Sequence, residues 1–206
     1  MPRKNRIWYP GAIYHVMSRG NRRVKIFDDR TDYLRFLVCI RKTKEEFPFK
    51  IHSLCLMTNH FHMSVETEIV NVSIIMQKIL SRYAKAYNHR HNFCGHLFEH
   101  RYTAQVIEDE RYFLEVSRYI HLNPVKAHIV DDPFDYEYSS YRWFVHDTPF
   151  SGGNKVAMLI DELVETGRVL CSFDGDTRDQ YRIFVNGIDD HEDHELLIQK
   201  DMCDYE

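Results

Sequence analysis

Along the first 125 residues, hydrophobic positions switch repeatedly between period two and helical spacing. Residues 12–18, Ala-Ile-Tyr-His-Val-Met-Ser, are extended in character and run into a turn at Arg19-Gly20-Asn21-Arg22-Arg23. Residues 29–47 place Tyr33, Phe36, Leu37 and Ile40 at helical spacing and predict a helix. Lys50–Met57 and His60–Glu66 then read as two strands joined at Thr58-Asn59. Val72–Asn88 is a second predicted helix, with Ile75, Ile79 and Tyr83 in its core stripe. His96–Ile107 reads as a further strand or hairpin, and Glu110–Leu122 as a third helix. Strand, helix, strand, strand, helix, strand is the order of a ferredoxin-like α+β sandwich, an antiparallel sheet with helices packed on it.

No internal repeat or low-complexity tract interrupts this pattern. The clear break is Ser151-Gly152-Gly153-Asn154, after the aromatic cluster Tyr141, Trp143 and Phe144. A compact domain over residues 1–150 followed by an acidic helical extension over 151–206 is therefore expected.

Composition supports a folded chain: 44% of the 206 residues are hydrophobic and 14% aromatic, enough for a sizeable core. No run approaches the length of a membrane span, and no apolar stretch of signal-peptide length follows the first residues, so a soluble, cytoplasmic protein is expected. The five cysteines are odd in number and form no C-x-x-C pair, which argues against a disulfide framework and a structural zinc site.

Charge adds more when it is divided along the chain. The net value is −4, yet residues 1–107 carry 18 Lys and Arg against 8 Asp and Glu, while residues 151–206 carry 5 against 14. A basic body with an acidic tail fits a body that binds phosphates.

Two local patterns carry candidate chemistry. On a strand, His60 and His62 share one face while Phe61, Met63 and Val65 point to the other and can enter the core. Two imidazoles so placed can reach one metal ion, with bonds of about 2 Å. A half-exposed polar face reads the same way in a chain with 13 histidines, and two ligands call for a third elsewhere.

On the third helix, a step of about 100° per residue gathers Tyr112, Val116, Tyr119 and Asn123 on one face. Tyr119 and Asn123 lie one turn apart, so a phenol and an amide oxygen can face the histidine pair together if this helix covers that sheet face. Two plainer readings stand beside this one. Tyr119 can be a core residue with its hydroxyl at the rim, and Asn123, before Pro124, can cap a following short helix.

Several motifs together resemble the single-tyrosine HUH transposases of small insertion sequences, in particular the REP-associated tyrosine transposases. They are Tyr14-His15-Val16 with Ser18-Arg19-Gly20-Asn21-Arg22, then Met57-Thr58-Asn59-His60-Phe61-His62. Gly95-His96-Leu97-Phe98, Arg101-Tyr102 and the block from Arg118 to Ala127 follow, with Tyr138-Ser139-Ser140-Tyr141 and a weaker echo at Asp179–Gly187. Thr58 departs from the pattern, standing where proline is expected.

The resemblance implies that His60 and His62 ligate a divalent metal, that Asn123 completes the coordination, and that Tyr119 is the nucleophile. It implies cleavage and rejoining of single-stranded or hairpin DNA through a 5′-phosphotyrosine, by a monomer or homodimer and without a membrane. Two imidazoles and one amide suit manganese better than magnesium, and activity with either is expected. Lys78, Arg82, Lys85 and His89 recur at helical spacing, and with Arg19, Arg22, Arg23 and Arg101 they are candidates to position DNA phosphates. The rival readings are a module that holds structured strands without cutting them, and a metal-dependent hydrolase of a small substrate.

Overall fold

A computed structural model describes residues 8–147 and 153–187. Strands β1 (Ile13–Arg19), β2 (Phe49–Leu56), β3 (His60–Thr67) and β4 (Thr103–Ile107) form one antiparallel sheet in the order β2-β3-β1-β4. Helix α1 (Arg30–Glu46) links β1 to β2, and α2 (Val72–His91) links β3 to β4. This is the ferredoxin-like arrangement expected from the order of elements.

Period-two alternation decides which helices cover which face. Tyr14, Val16, Phe61, Met63 and Val65 are buried in one cluster with Phe36, Leu37 and Ile40 of α1 and Ile75, Ile79 and Tyr83 of α2. On the other face Ile13, Cys55 and Ile107 join a second cluster with Phe113, Val116 and Ile120 of α3 (Glu110–Lys126). Full burial of each such large side chain contributes roughly 1.5–3 kcal/mol, so α3 is firmly seated over the histidine face.

Polar side chains set the helix starts. The Asp29 carboxylate accepts from the N–H groups of Thr31 and Asp32 at α1, and Asp109 accepts from Tyr112 N–H at α3. α1 stops at Phe47, whose helical conformation Pro48 disfavours. α3 runs past its expected end at Leu122 to Lys126 with Pro124 inside it. Pro124 is buried, and Ala127 N–H still reaches the Asn123 carbonyl at 3.0 Å, so tertiary packing carries the last turn through the proline.

The expected strand over 96–107 is shorter, because its first part pairs with the β1 turn instead of extending the sheet. Asn21 N–H donates to Leu97 O at 2.8 Å, and Glu99 N–H to Arg19 O at 3.0 Å. Gly20 sits at this junction, where an added Cβ would lie 2.2 Å from the Val24 carbonyl oxygen. Space therefore demands glycine in the Ser-Arg-Gly-Asn-Arg motif.

The segment after the predicted break continues both cores. Helix α4 (Tyr141–Val145) precedes it, and α5 (Lys155–Leu163), α6 (Gly167–Leu170) and α7 (Thr177–Asn186) follow. Val156, Leu159, Ile160 and Leu163 join the first cluster, while Val169, Tyr181 and Val185 join the second. Asn154 caps α5. Ser151 and Gly152 of the predicted break, and residues 188–206 of the predicted acidic tail, lie outside the described residues. Among the described residues, no helix is long and apolar enough to cross a membrane.

Candidate active site

The antiparallel register places three histidines on the face beneath α3. Arg19 lies opposite His60, Met17 opposite His62 and His15 opposite Ser64. The His60 and His62 ring centroids are 5.1 Å apart, and those of His62 and His15 are 5.3 Å apart. Over them comes Tyr119, whose ring meets His62 edge-on at 5.4 Å and His15 edge-on at 5.7 Å.

Asn123 follows one helical turn after Tyr119. Its Nδ2 donates to the Tyr119 carbonyl at 2.8 Å, and its side chain acts on the neighbouring His60 imidazole. Asn123 lies inside α3 rather than capping a new helix, and Tyr119, partly buried against the second core cluster, also turns its ring to His62 and His15.

Burial keeps these imidazoles neutral. It lowers His60 to about 4, helped by the Arg19 charge and opposed by the Asn123 hydrogen bond. His15 is lowered to about 4 by burial, and His62 well below the ordinary range by burial and then by its neighbours His60 and His15. Neutral imidazole is the form that offers a lone pair. The Nδ1 of His60 faces Asn59 Oδ1 at 2.6 Å, which turns the other ring nitrogen toward the face under α3.

A buried polar chain fixes α3 from behind. His121 Nδ1 lies 2.6 Å from the Tyr181 hydroxyl and His121 Nε2 lies 2.8 Å from Ser140 Oγ. Tyr181 reaches Ser117 Oγ at 2.7 Å, and Ser140 Oγ accepts from Leu54 N–H at 2.9 Å. The Tyr-Ser-Ser-Tyr motif and the Asp179–Gly187 segment thus meet at His121, joining α7, α3 and β2. Burial lowers His121 to about 3.

The basic residues divide into two groups. Arg19 faces Glu99 at 3.2 Å beside His60, while Arg22, Arg23 and Arg101 are exposed on the loops at that end of β1. Lys78 and Arg82 of α2 pair instead with Glu46 of α1, and Lys85 is exposed on the same helix, across the sheet from Tyr119. A groove of about 760 Å³ runs between α2 and the 95–102 loop, lined by Gln77, His96, Phe98, His100, Arg101 and Tyr102 among others.

Asp28, Asp32 and His91 also come together, far from this face on the α1–α2 layer. Asp32 is held there by Arg90 at 2.6 Å and His91 at 2.9 Å, which makes the cluster a charge clamp between the two helices.

Neither His15 nor Lys126 carried a role in the reading of the sequence. The Lys126 ammonium lies 5.3 Å from the Tyr119 ring centroid, one turn beyond Asn123. Alternation in β1 was the available signal for His15, since Tyr14 and Val16 take the core face and leave it on the other.

A ferredoxin-like sheet thus carries a His-x-His strand beneath a tyrosine-bearing helix. The chain belongs to the IS200-like transposase family, whose model matches residues 9–123. Among solved structures it is similar to a REP-associated tyrosine transposase bound to a REP hairpin, at 22% identity and a TM-score of 0.60. That match covers 75% of this chain and 98% of the other, and it shows a shared fold. A putative transposase from Deinococcus radiodurans R1 also matches, at 15% identity and a TM-score of 0.40, over 57% of this chain and 95% of that one. No curated protein matches the chain.

Proposed function

We propose that this transposase cleaves and rejoins single-stranded DNA at hairpin-forming sites, with Tyr119 as nucleophile and a divalent metal held by His60, His62 and Asn123. The observation that carries the reading is the convergence of these four side chains on one sheet face, with the Tyr119 ring packed against His62 at 5.4 Å. The donor set fits the metal: two imidazoles kept neutral by burial and a side-chain amide beside His60. A dication bound there supplies Lewis-acid polarisation of the scissile phosphate.

The residues of the chain do the rest. Tyr119 Oη gives up its proton and forms a bond to phosphorus as the bond to the 3′-oxygen breaks; that oxygen takes up a proton, leaving a 5′-phosphotyrosine and a 3′-hydroxyl. Attack by a 3′-hydroxyl on the phosphotyrosine restores the phosphodiester, so rejoining needs no nucleotide. A free phenol is ionised only to about 0.1% at pH 7, and the Lys126 ammonium lies beside the Tyr119 ring, 5.3 Å from its centroid. Arg19, Arg22, Arg23 and Arg101 hold backbone phosphates near His60, and the aromatic-lined groove beside Arg101 takes unpaired bases. Packing of Tyr119 on His62 and His15 of its own chain favours a site completed within one protomer.

The test is incubation of the protein with single-stranded hairpin DNA and manganese, followed by denaturing electrophoresis. A covalent protein–DNA band that disappears in Tyr119→Phe supports the proposal. Binding without adduct would make the chain a binding module, and no effect on DNA would remove both readings.

A further inference from the structure

We infer that His15 is a positioning residue, accepting a hydrogen bond from Nδ1 of His62 and thereby aiming the Nε2 lone pair of His62 into the site beside Tyr119. The inference rests on the proposed reading of His62 as a metal ligand. It gives a task to the Tyr14-His15-Val16 motif, which the proposed chemistry otherwise leaves unused.

His15 Nε2 lies 3.1 Å from His62 Nδ1, and with ring centroids 5.3 Å apart and 27° between the planes the two rings meet nearly edge to edge. Both side chains are almost fully enclosed, at 2% and 3% exposure, so no solvent competes for this contact. Pairing of β1 with β3 sets it up: Met17 is directly opposite His62, and His15 lies on the diagonal two residues along the same face.

A hydrogen bond between two neutral imidazoles has one proton between the facing nitrogens, and only two arrangements exist. If His15 Nε2 carries it, His62 Nδ1 accepts and the proton of His62 sits on Nε2, which then has no lone pair to offer. If His62 Nδ1 carries it, Nε2 is free to ligate. Only the second is compatible with His62 as a ligand. It is the arrangement by which outer partners fix the tautomer and orientation of metal-binding histidines. The His15 ring also meets Tyr119 edge-on at 5.7 Å, so it holds the ligand against the nucleophile's ring.

The test compares His15→Gln with His15→Met in the full chain. The two side chains are similar in length, but only glutamine offers a carbonyl acceptor near the position of Nε2. Manganese chloride is titrated and free Mn(II) read by electron paramagnetic resonance, with far-ultraviolet circular dichroism recorded on each variant. His15→Met is expected to weaken manganese binding about 10–100-fold, with His15→Gln recovering most of that loss. Equal affinity in wild type and both folded variants would overturn the inference, as would equal loss in both. Failure of the wild type to bind manganese would strike the metal reading instead. Long-range proton–nitrogen-15 correlation of the wild type decides the tautomer even if a variant does not fold. A proton on His62 Nδ1 is expected, and a proton on Nε2 overturns the inference.

Discussion

Tyr181→Phe removes one oxygen atom about which the placement of α3 turns. Its hydroxyl lies between His121 Nδ1 at 2.6 Å and Ser117 Oγ at 2.7 Å, and all three side chains are fully buried. One proton assignment satisfies every group: Ser117 donates to Tyr181, Tyr181 to His121 Nδ1, His121 Nε2–H to Ser140 Oγ, and Ser140 to the Leu54 carbonyl. Phenylalanine keeps the ring contacts with Phe144 at 4.7 Å and Phe173 at 5.7 Å, so no packing is lost. Ser117 can redirect its hydroxyl to the carbonyl one turn back on α3, but the imidazole cannot turn without breaking its bond to Ser140. One buried nitrogen is therefore orphaned, at a cost of about 1–3 kcal/mol. For a chain of this size that lowers the melting temperature by roughly 2–4 °C per kcal/mol. Urea unfolding followed by circular dichroism measures it, with an unchanged slope against denaturant showing that the native frame persists. Ser117→Ala should cost less, and the double variant less than the sum of the two. A change below about 0.5 kcal/mol in Tyr181→Phe, within the range of ordinary surface substitutions, would refute the role given to this chain of hydrogen bonds.

Tyr119→Phe should abolish the covalent adduct while leaving hairpin affinity within about threefold, a shift under 1 kcal/mol in a gel-shift titration. Mixing Tyr119→Phe with His60→Ala protein should not restore cleavage, because each protomer carries its own complete set; recovery of activity in the mixture would show a shared site. Acid should destabilise the fold. His15 at about 4 and His121 at about 3 lie below the unfolded value of 6.5, so the unfolded state binds more protons between those limits. Their contribution is complete above pH 6.5 and lost as pH falls toward 4 and then 3; at pH 5 each costs on the order of 2 kcal/mol, read from urea midpoints at pH 7.5 and 5. An unchanged midpoint would contradict neutral burial. Gly20→Ala should destabilise by about 1–3 kcal/mol through overpacking against Val24, measurable by thermal unfolding.

The sheet and its first three helices were legible because they depend on short-range periodicity. Alternation in residues 60–66 sent Phe61, Met63 and Val65 to the core and left His60 and His62 together, and the structure keeps that division. The helical angle likewise put Tyr119 and Asn123 on one face. What misled was local chemistry that tertiary contacts override. Pro124 signalled a helix end at Leu122, but it packs as a buried residue and the helix continues. Helical spacing alone did not show that Lys78 and Arg82 pair with Glu46 on the neighbouring helix, as Arg19 pairs with Glu99.

The remaining parts of the site were hidden for a different reason: they are defined by pairs distant in sequence. His15 and His62 are 47 residues apart, and His121 and Tyr181 are 60 apart. No spacing rule connects such residues until the strand register and the packing of α7 are known. Both pairs act on the same geometry from opposite sides. His15 bears on the histidine strand from within the sheet, while His121 fixes α3 through Tyr181 and Ser140. The spacing of Tyr119 and the histidine pair thus has two buried hydrogen-bonded supports, one of which depends on a helix lying beyond the break the sequence marked at 151–154. Truncation before α7 should therefore weaken manganese binding as well as stability, because it removes the Tyr181 hydroxyl and the rings of Tyr181 and Phe184 from behind α3. A shortened chain that kept wild-type manganese affinity would show that α3 holds its position on the Phe113, Val116 and Ile120 face alone.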